Sequence, residues 1–281
     1  MTAQPGLPAP HIAIFDSGIG GLSVLRALQH HMPQARLTCI ADARFTPWGD
    51  RPAAWVVARC LQLSDWLLAN GAGLVLVACN TGTTQAISAL RARWPGTPFV
   101  GVEPGIKPAV AASRNGRVAV MATSGTLHSP RLAKLVAQHA GGTTLLRLPC
   151  PGLVEAIENA SPGDGVLPAL LNHIAAELRA ARVDTVALGC THYPLVAEAL
   201  QARLGPAVRL VDTADAVARQ VLRLVGPTPG CGATAAAWPL PRLLSTGDAA
   251  RLQQAARRWL RPDALAETLA LPDPDLMPNP S

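Results

Sequence analysis

One pattern constrains this chain more than any other: short, almost wholly apolar runs, each followed by a polar or glycine-rich turn and a longer segment of helical period. Residues 11–15 lead into the turn 16–21 and a helix over 22–31. The rhythm recurs at 74–78, 79–83 and a helix to Arg93; at 99–102, Glu103-Pro104-Gly105 and a helix ending near Ala112; and at 117–122, 123–128 and a helix over 130–139. It recurs again at 185–188, 189–193 and a helix over 194–204, and at 208–211, Asp212-Thr213 and a helix to Leu224. A strand without a polar face has to be covered on both sides, and strands separated by helices pair in parallel. The expected fold class is α/β, with parallel sheets flanked by helices. The 281 residues, 49% hydrophobic and 15% charged, suffice for two such domains and rule out a disordered chain. Only the stretches 1–10, 226–241 and 271–281, rich in Pro or Gly, read as irregular.

In sheets of this kind, ligands bind beyond the carboxyl ends of the strands. The polar residues at those ends are Asp16, Ser17, Cys79, Asn80, Thr81, Glu103, Thr123, Ser124, Thr126, Cys190, Thr191 and His192. Two ends share a layout: residues 75–81 and 185–192 each run from an apolar strand through a small residue to Cys, polar residues and a helix. This suggests two pseudo-symmetric α/β halves facing each other, with a cysteine on each lip of a site at their interface.

Six cysteines without Cys-x-x-Cys spacing do not make a secreted disulfide scaffold. The first ten residues hold three prolines and no basic residue, unlike a signal peptide, and no apolar run reaches a membrane span. A cytoplasmic protein with reduced thiols and no membrane partner is expected. The formal charge of +6 is not gathered into a patch; Arg251, Arg257, Arg258 and Arg261 read as the solvated side of a final helix. Nucleic acid is therefore not expected as a main partner.

Cys39, Cys60, Cys150 and Cys231 read as core or loop residues, because free cysteine packs as a small hydrophobe. Cys79 and Cys190 differ: each ends a strand and precedes a helix start, where unpaired N–H groups and the dipole favour an anion. There a thiol is expected to drop toward roughly 3.5–7.5. Two thiols on opposed lips suit a reaction that needs an acid and a base on opposite faces of one carbon, as in inversion of an α-carbon. The developing charge would need donors, and Asn80, Thr81, Thr123, Thr126 and Thr191 are of the right type. Asp16 and His192 are placed to assist proton transfer.

Other chemistries have weaker support. A pyridoxal enzyme needs a Schiff-base lysine; the two lysines, Lys107 and Lys134, lack a phosphate cradle. Cys190-x-His192 has no further ligand at zinc spacing, so no metal is expected. Gly18-Ile19-Gly20-Gly21-Leu22-Ser23, with Asp42 closing the next strand, imitates a dinucleotide-binding loop imperfectly, leaving a nicotinamide-dependent oxidoreductase as the alternative enzyme. A binding protein on the same scaffold is a third reading, one that gives no reason for two thiols.

With these residues assembled, the sequence resembles the glutamate racemases, cofactor-independent members of the aspartate/glutamate racemase superfamily, over roughly residues 11–260. The markers stand in family order: Phe15-Asp16-Ser17-Gly18-Ile19-Gly20-Gly21-Leu22-Ser23-Val24; Asp42 through Pro47-Trp48-Gly49; Ala78-Cys79-Asn80-Thr81; Gly101-Val102-Glu103-Pro104-Gly105-Ile106-Lys107-Pro108-Ala109; Ala122-Thr123 through Thr126; Cys150-Pro151 through Glu155; and Leu188-Gly189-Cys190-Thr191-His192-Tyr193-Pro194-Leu195. The resemblance implies interconversion of L- and D-glutamate without a cofactor, supplying D-glutamate for peptidoglycan. Cys79 would act on the D-isomer and Cys190 on the L-isomer, assisted by Asp16, Glu155 and His192. Asp16, Ser17, Trp48, Gly49, Asn80, Thr81, Thr123, Thr126, Thr191 and His192 match substrate-binding positions. It also implies two α/β domains with the site between them, residues 1–100 with 207–281 forming the first and 101–206 the second; a homodimer is compatible with it. Two departures stand out. Trp48 replaces the usual tyrosine and offers only an indole N–H, while Gly82-Thr83 replaces the usual Ala-Ser, a change expected to loosen the helix start.

Overall fold

The computed structural model describes residues 10–161, 163, 165–226 and 239–274. With strands numbered along the chain, the larger sheet contains β1 (His11–Asp16), β2 (Arg36–Ala41), β3 (Leu74–Val77), β4 (Phe99–Gly101), β9 (Arg242–Ser245) and β10 (Ala266–Thr268), in the order β10-β9-β2-β1-β3-β4. The smaller contains β5 (Arg117–Ala122), β6 (Thr144–Pro149), β7 (Thr185–Leu188) and β8 (Arg209–Val211), in the order β6-β5-β7-β8. Every strand pairing described is parallel, as the apolar runs require. Two α/β domains result.

Alternation along β1 sends Ile12 and Ile14 to one face and Ala13 and Phe15 to the other. The first pair shares an apolar cluster with Leu22, Leu25 and Leu28 of α1 (Gly21–His31), whose spacing of three keeps them on one side of the helix. Each such buried leucine contributes roughly 1.5–3 kcal/mol. The second pair clusters with Val56, Leu63 and Leu67 of α2 (Ala53–Ala69) and Ile87 of α3 (Asn80–Arg93). In the smaller sheet Ala119 and Met121 cluster with Leu171 and Ile174 of α8 (Val166–Ala180). Val118 and Val120 cluster with Ile106 and Ala109 of α4 (Ile106–Ala112) and Leu132 of α6 (Pro130–His139). One apolar cluster thus draws on both sheets.

Register brings the functional turns together. Phe15 lies opposite Val77, and Ala78 N–H donates to the Phe15 carbonyl at 2.8 Å, so Asp16-Ser17 emerges beside Ala78-Cys79. In the smaller sheet Met121 lies opposite Leu188, and Gly189 N–H donates to the Met121 carbonyl at 2.7 Å, so Thr123 emerges beside Cys190. Glycine is required at 189, since a Cβ there would stand 2.9 Å from the Met121 carbonyl.

The chain crosses back between the sheets late. Strand β8, within the 207–281 stretch assigned to the first domain, pairs with β7 in the second sheet. The chain returns only with α10 (Ala214–Val225), which packs on α1 and pairs its Asp215 with His31 at 2.5 Å. The helix expected over 194–204 is a 3-10 turn, Tyr193–Val196, followed by α9 (Ala197–Leu204). The expectations for 1–9, 227–238 and 275–281, with Cys231, lie outside the described residues. Where the last stretch is described it is anchored: Leu271 packs on the α2 side of the core, and the Pro272 carbonyl accepts from Arg59 Nη1 at 2.9 Å and Gln62 Nε2 at 3.2 Å.

Candidate active site

Cys79 and Cys190 line one cavity at the carboxyl ends of β3 and β7, together with Ser17, Trp48, Gly49, Asn80, Thr81, Thr123, Thr191 and His192. Its open volume is about 10 Å³, room for about one water. The two lips are closed on each other.

The lips are not equivalent. Cys79 is itself the N-cap of α3, with extended backbone (φ −125°, ψ 125°), and its sulfur accepts the Gly82 N–H at 3.5 Å. Its thiol faces the Ser17 hydroxyl at 3.6 Å. Cys190 leads only into the 3-10 turn, and its sulfur lies 3.8 Å from His192 Nδ1. The expectation of a depressed thiol at a helix start is overturned for Cys79. Burial, seconded by the nearby Asp16 carboxylate, pushes this thiol well above its ordinary range, against the pull of the Gly82 N–H and Ser17. Removing a thiolate from water outweighs one long N–H···S bond. Burial likewise pushes Cys39 and Cys150 up to about 12, and Cys60 well above its usual value.

Asp16 is fully buried behind the cavity. Its Oδ1 accepts the Ser17 N–H at 2.7 Å, and its Oδ2 accepts the Thr191 hydroxyl of the opposite lip at 2.9 Å. Burial raises this carboxyl above its usual value, although His192, Thr191 and Ser17 all oppose the shift. For His192, burial alone would disfavour the charged ring. Its hydrogen bonds to Cys190 and Glu158 outweigh that, and the imidazole is held well above its ordinary value.

The carboxylate on His192 is Glu158, at 2.6 Å, and not Glu155. In α7 (Leu153–Glu158) the residues Leu153, Val154, Ala156 and Ile157 are buried; Glu155 is turned to solvent, while Glu158 reaches inward. Spacing could not decide between two glutamates at the rim of one short apolar turn. Only the helix's orientation does.

Donor groups cluster on one side. The hydroxyls of Thr81, Thr123 and Thr126 form a triangle with edges of 3.1, 3.4 and 3.2 Å. Thr123 caps α5 (Ser124–Leu127), accepting the Thr126 N–H at 3.3 Å, and Thr126 stands behind the wall as the brace. Asn80 Nδ2 donates to the Val102 carbonyl at 3.4 Å, while its buried Oδ1 has no protein partner. Such an orphaned acceptor costs about 1–3 kcal/mol unless a ligand supplies a donor. The helix start is not loosened by Gly82-Thr83: Thr83 Oγ1 donates to the Val77 carbonyl at 3.1 Å and accepts the Val102 N–H at 3.0 Å.

Asp42 is unavailable to a ribose. Its carboxylate takes two bonds from Arg59 (2.5 and 2.9 Å), one from Thr246 (2.7 Å) and one from the Trp48 indole (3.2 Å), all buried. Among the described residues no group of three His, Cys, Asp or Glu could hold a metal ion, and no helix is long and apolar enough to cross a membrane.

Two parallel α/β domains close over a pair of thiols, with an imidazole beside one and a buried carboxyl behind the other. The chain belongs to the Asp/Glu/hydantoin racemase family, which it matches over residues 22–221. Within it, this protein is an amino-acid racemase. It is 42% identical over 270 residues to the glutamate racemase of Cupriavidus pinatubonensis, covering 94% of this chain and 96% of that one. The structure of glutamate racemase from Escherichia coli in complex with L-glutamate and the activator UDP-MurNAc-Ala superimposes with a TM-score of 0.80 at 31% identity, covering 94% of this chain and 99% of that one. A glutamate racemase isoform from Bacillus anthracis gives 0.81 at 25% identity, with 94% and 98% coverage.

Proposed function

We propose that this protein interconverts L- and D-glutamate without a cofactor, using Cys79 and Cys190 as the two bases, and supplies D-glutamate for peptidoglycan synthesis in the cytoplasm. The observation that carries the reading is the placement of both thiols on facing lips of one cavity, each with its own proton partner. Starting from L-glutamate, the Cys190 thiolate removes the α-proton beside the protonated His192. The Cys79 thiol then delivers a proton to the opposite face. The raised affinity of Cys79 for its proton suits it to wait as the acid in this direction. From D-glutamate the roles reverse.

An α-proton next to a carboxylate leaves as a proton only if the charge that develops is held. Hydroxyls of Thr81 and Thr123 supply donors, Thr191 lines the cavity with its hydroxyl proton committed to Asp16, and the free Oδ1 of Asn80 is an acceptor suited to the substrate ammonium. Asp16 and His192 act through the thiols, Ser17, Trp48 and Gly49 through contact with substrate, and Thr126 through the hydroxyl triangle. Because the closed cavity is far smaller than an amino acid, the lips part to admit it. The first domain is taken as residues 1–100 with 207–281 and the second as 101–206, with β8 crossing to the second sheet before α10 returns to α1.

The test is incubation of purified, cofactor-free protein with L-glutamate in heavy water. Loss of optical purity with deuterium entering at the α-carbon is expected; an unchanged, undeuterated L-glutamate pool would refute the reading.

A further inference from the structure

Trp48 and Gly82 meet at one point in this molecule, the ring edge against the bare α-carbon. Trp48 is 1% exposed and wedged between two fixed groups. At one end its indole N–H donates to Asp42 Oδ2 at 3.2 Å, and that carboxylate is itself gripped by Arg59 and Thr246. At the other end its ring edge faces Gly82. A Cβ on residue 82 would stand 3.1 Å from Trp48 Cζ3, 3.2 Å from Val77 Cγ1 and 3.4 Å from Cys60 Sγ, crowding three neighbours that are all buried. The N–H of this same Gly82 donates to Cys79 Sγ at 3.5 Å.

We propose that Trp48 and Gly82 form a matched pair that positions the Cys79 thiol. The indole, locked by Asp42, backs the first turn of α3 and so sets where the Gly82 N–H meets the sulfur; glycine is the residue that leaves room for it. The ring of Trp48 is thus a positioning group, distinct from the cavity-lining role of the Trp48-Gly49 segment. The inference rests on the glutamate racemase reading, since it assigns the pair to a thiol taken as one of the two bases.

The test compares the native protein with Gly82→Ala, Trp48→Tyr and the double variant, measuring kcat/KM for L-glutamate across pH alongside thermal unfolding. Gly82→Ala is expected to lower kcat/KM by about tenfold or more, since displacement of a reacting group on the ångström scale can cost about a hundredfold. One limb of its pH profile should move to higher pH as the N–H···S bond weakens. Trp48→Tyr alone should also reduce activity. In the double variant, the smaller ring should recover at least about threefold of the Gly82→Ala loss and return the limb toward its native position, the non-additivity that contact produces. Single effects that simply multiply, or a Gly82→Ala profile with both limbs unmoved, would overturn the pairing. If Gly82→Ala fails to fold, folding restored by Trp48→Tyr supports the pair, and no restoration overturns it. Should the native protein leave glutamate untouched, the functional reading falls. The pair is then judged by the rate of Cys79 alkylation with iodoacetamide, followed by peptide mass spectrometry. A rate changed by Gly82→Ala and restored in the double variant supports it; a rate unchanged throughout overturns it.

Discussion

His192 Nε2 lies 2.6 Å from Glu158 Oε1, and the same oxygen accepts the backbone N–H of Ile19 at 2.8 Å. One carboxylate thereby ties the histidine of the second domain's lip to the glycine loop of the first. Its partners share a single oxygen, so closure of the lips and protonation of the ring are linked in one contact.

Glu158→Gln keeps the shape and removes the charge that holds the proton on His192. Turnover should fall by roughly 10²-fold, the lower end of what a positioned acid or base supplies. Glu155→Gln, altering a solvent-facing side chain, should stay within about twofold. Steady-state racemisation assays on the two variants check this, and the opposite ranking would return the role to Glu155.

The charged His192 also makes stability depend on pH. Its folded-state affinity for a proton is raised above the ordinary value of 6.5. The stabilisation is therefore complete below that pH and is lost as pH rises through the folded-state value. The native protein should lose stability relative to His192→Asn between pH 6.5 and about 8.5, before exposed thiols of the unfolded chain titrate. Urea denaturation of both proteins at several pH values tests this; parallel curves would show that the ring is not held charged.

Asp42 was legible as an acid at the end of a strand, but its partner was not. Arg59 comes from α2 and Thr246 from a segment 204 residues away. Arg59→Met leaves a buried carboxylate without its main partner and should destabilise the fold by roughly 3–5 kcal/mol. Calorimetry with NAD should give no heat, since every face of Asp42 is taken; tight binding would revive the oxidoreductase reading.

Gly125 and Gly49 meet across the lips: a Cβ on 125 would stand 2.7 Å from the Gly49 carbonyl. Backbone cannot yield as a flexible side chain does, so Gly125→Ala should hold the lips apart. Activity should fall by about 10²-fold through misplacement of the reacting groups, with the unfolding midpoint little changed. Equal losses of activity and stability would make the contact merely structural.

The apolar strands β1, β3, β5 and β7 were visible because burial on both faces leaves a continuous apolar signature. β6, β9 and β10 carried no such run: Arg147 interrupts the first, and Ala266-Glu267-Thr268 is a partly exposed edge. Residue types at the strand ends pointed to the cavity, since eight of the polar residues expected there line it, while Trp48 and Gly49 came only from the family resemblance. What sequence could not carry was orientation and burial. The turn of α7 decides between two glutamates, and the depth of Cys79 reverses the shift that its helix start would cause. Both depend on how the second domain closes on the first.

Two thiols working on opposite faces of one carbon leave a distinct isotope pattern at early conversion. With L-glutamate in heavy water, D-glutamate formed in the first few per cent of reaction should carry deuterium at the α-carbon, delivered from Cys79, while the remaining L-glutamate keeps its protium because Cys190 returns what it removed. Deuterium entering the remaining L-glutamate as fast as D-glutamate appears would mean one base serving both faces, and would contradict the assignment of Cys79 and Cys190 as a pair.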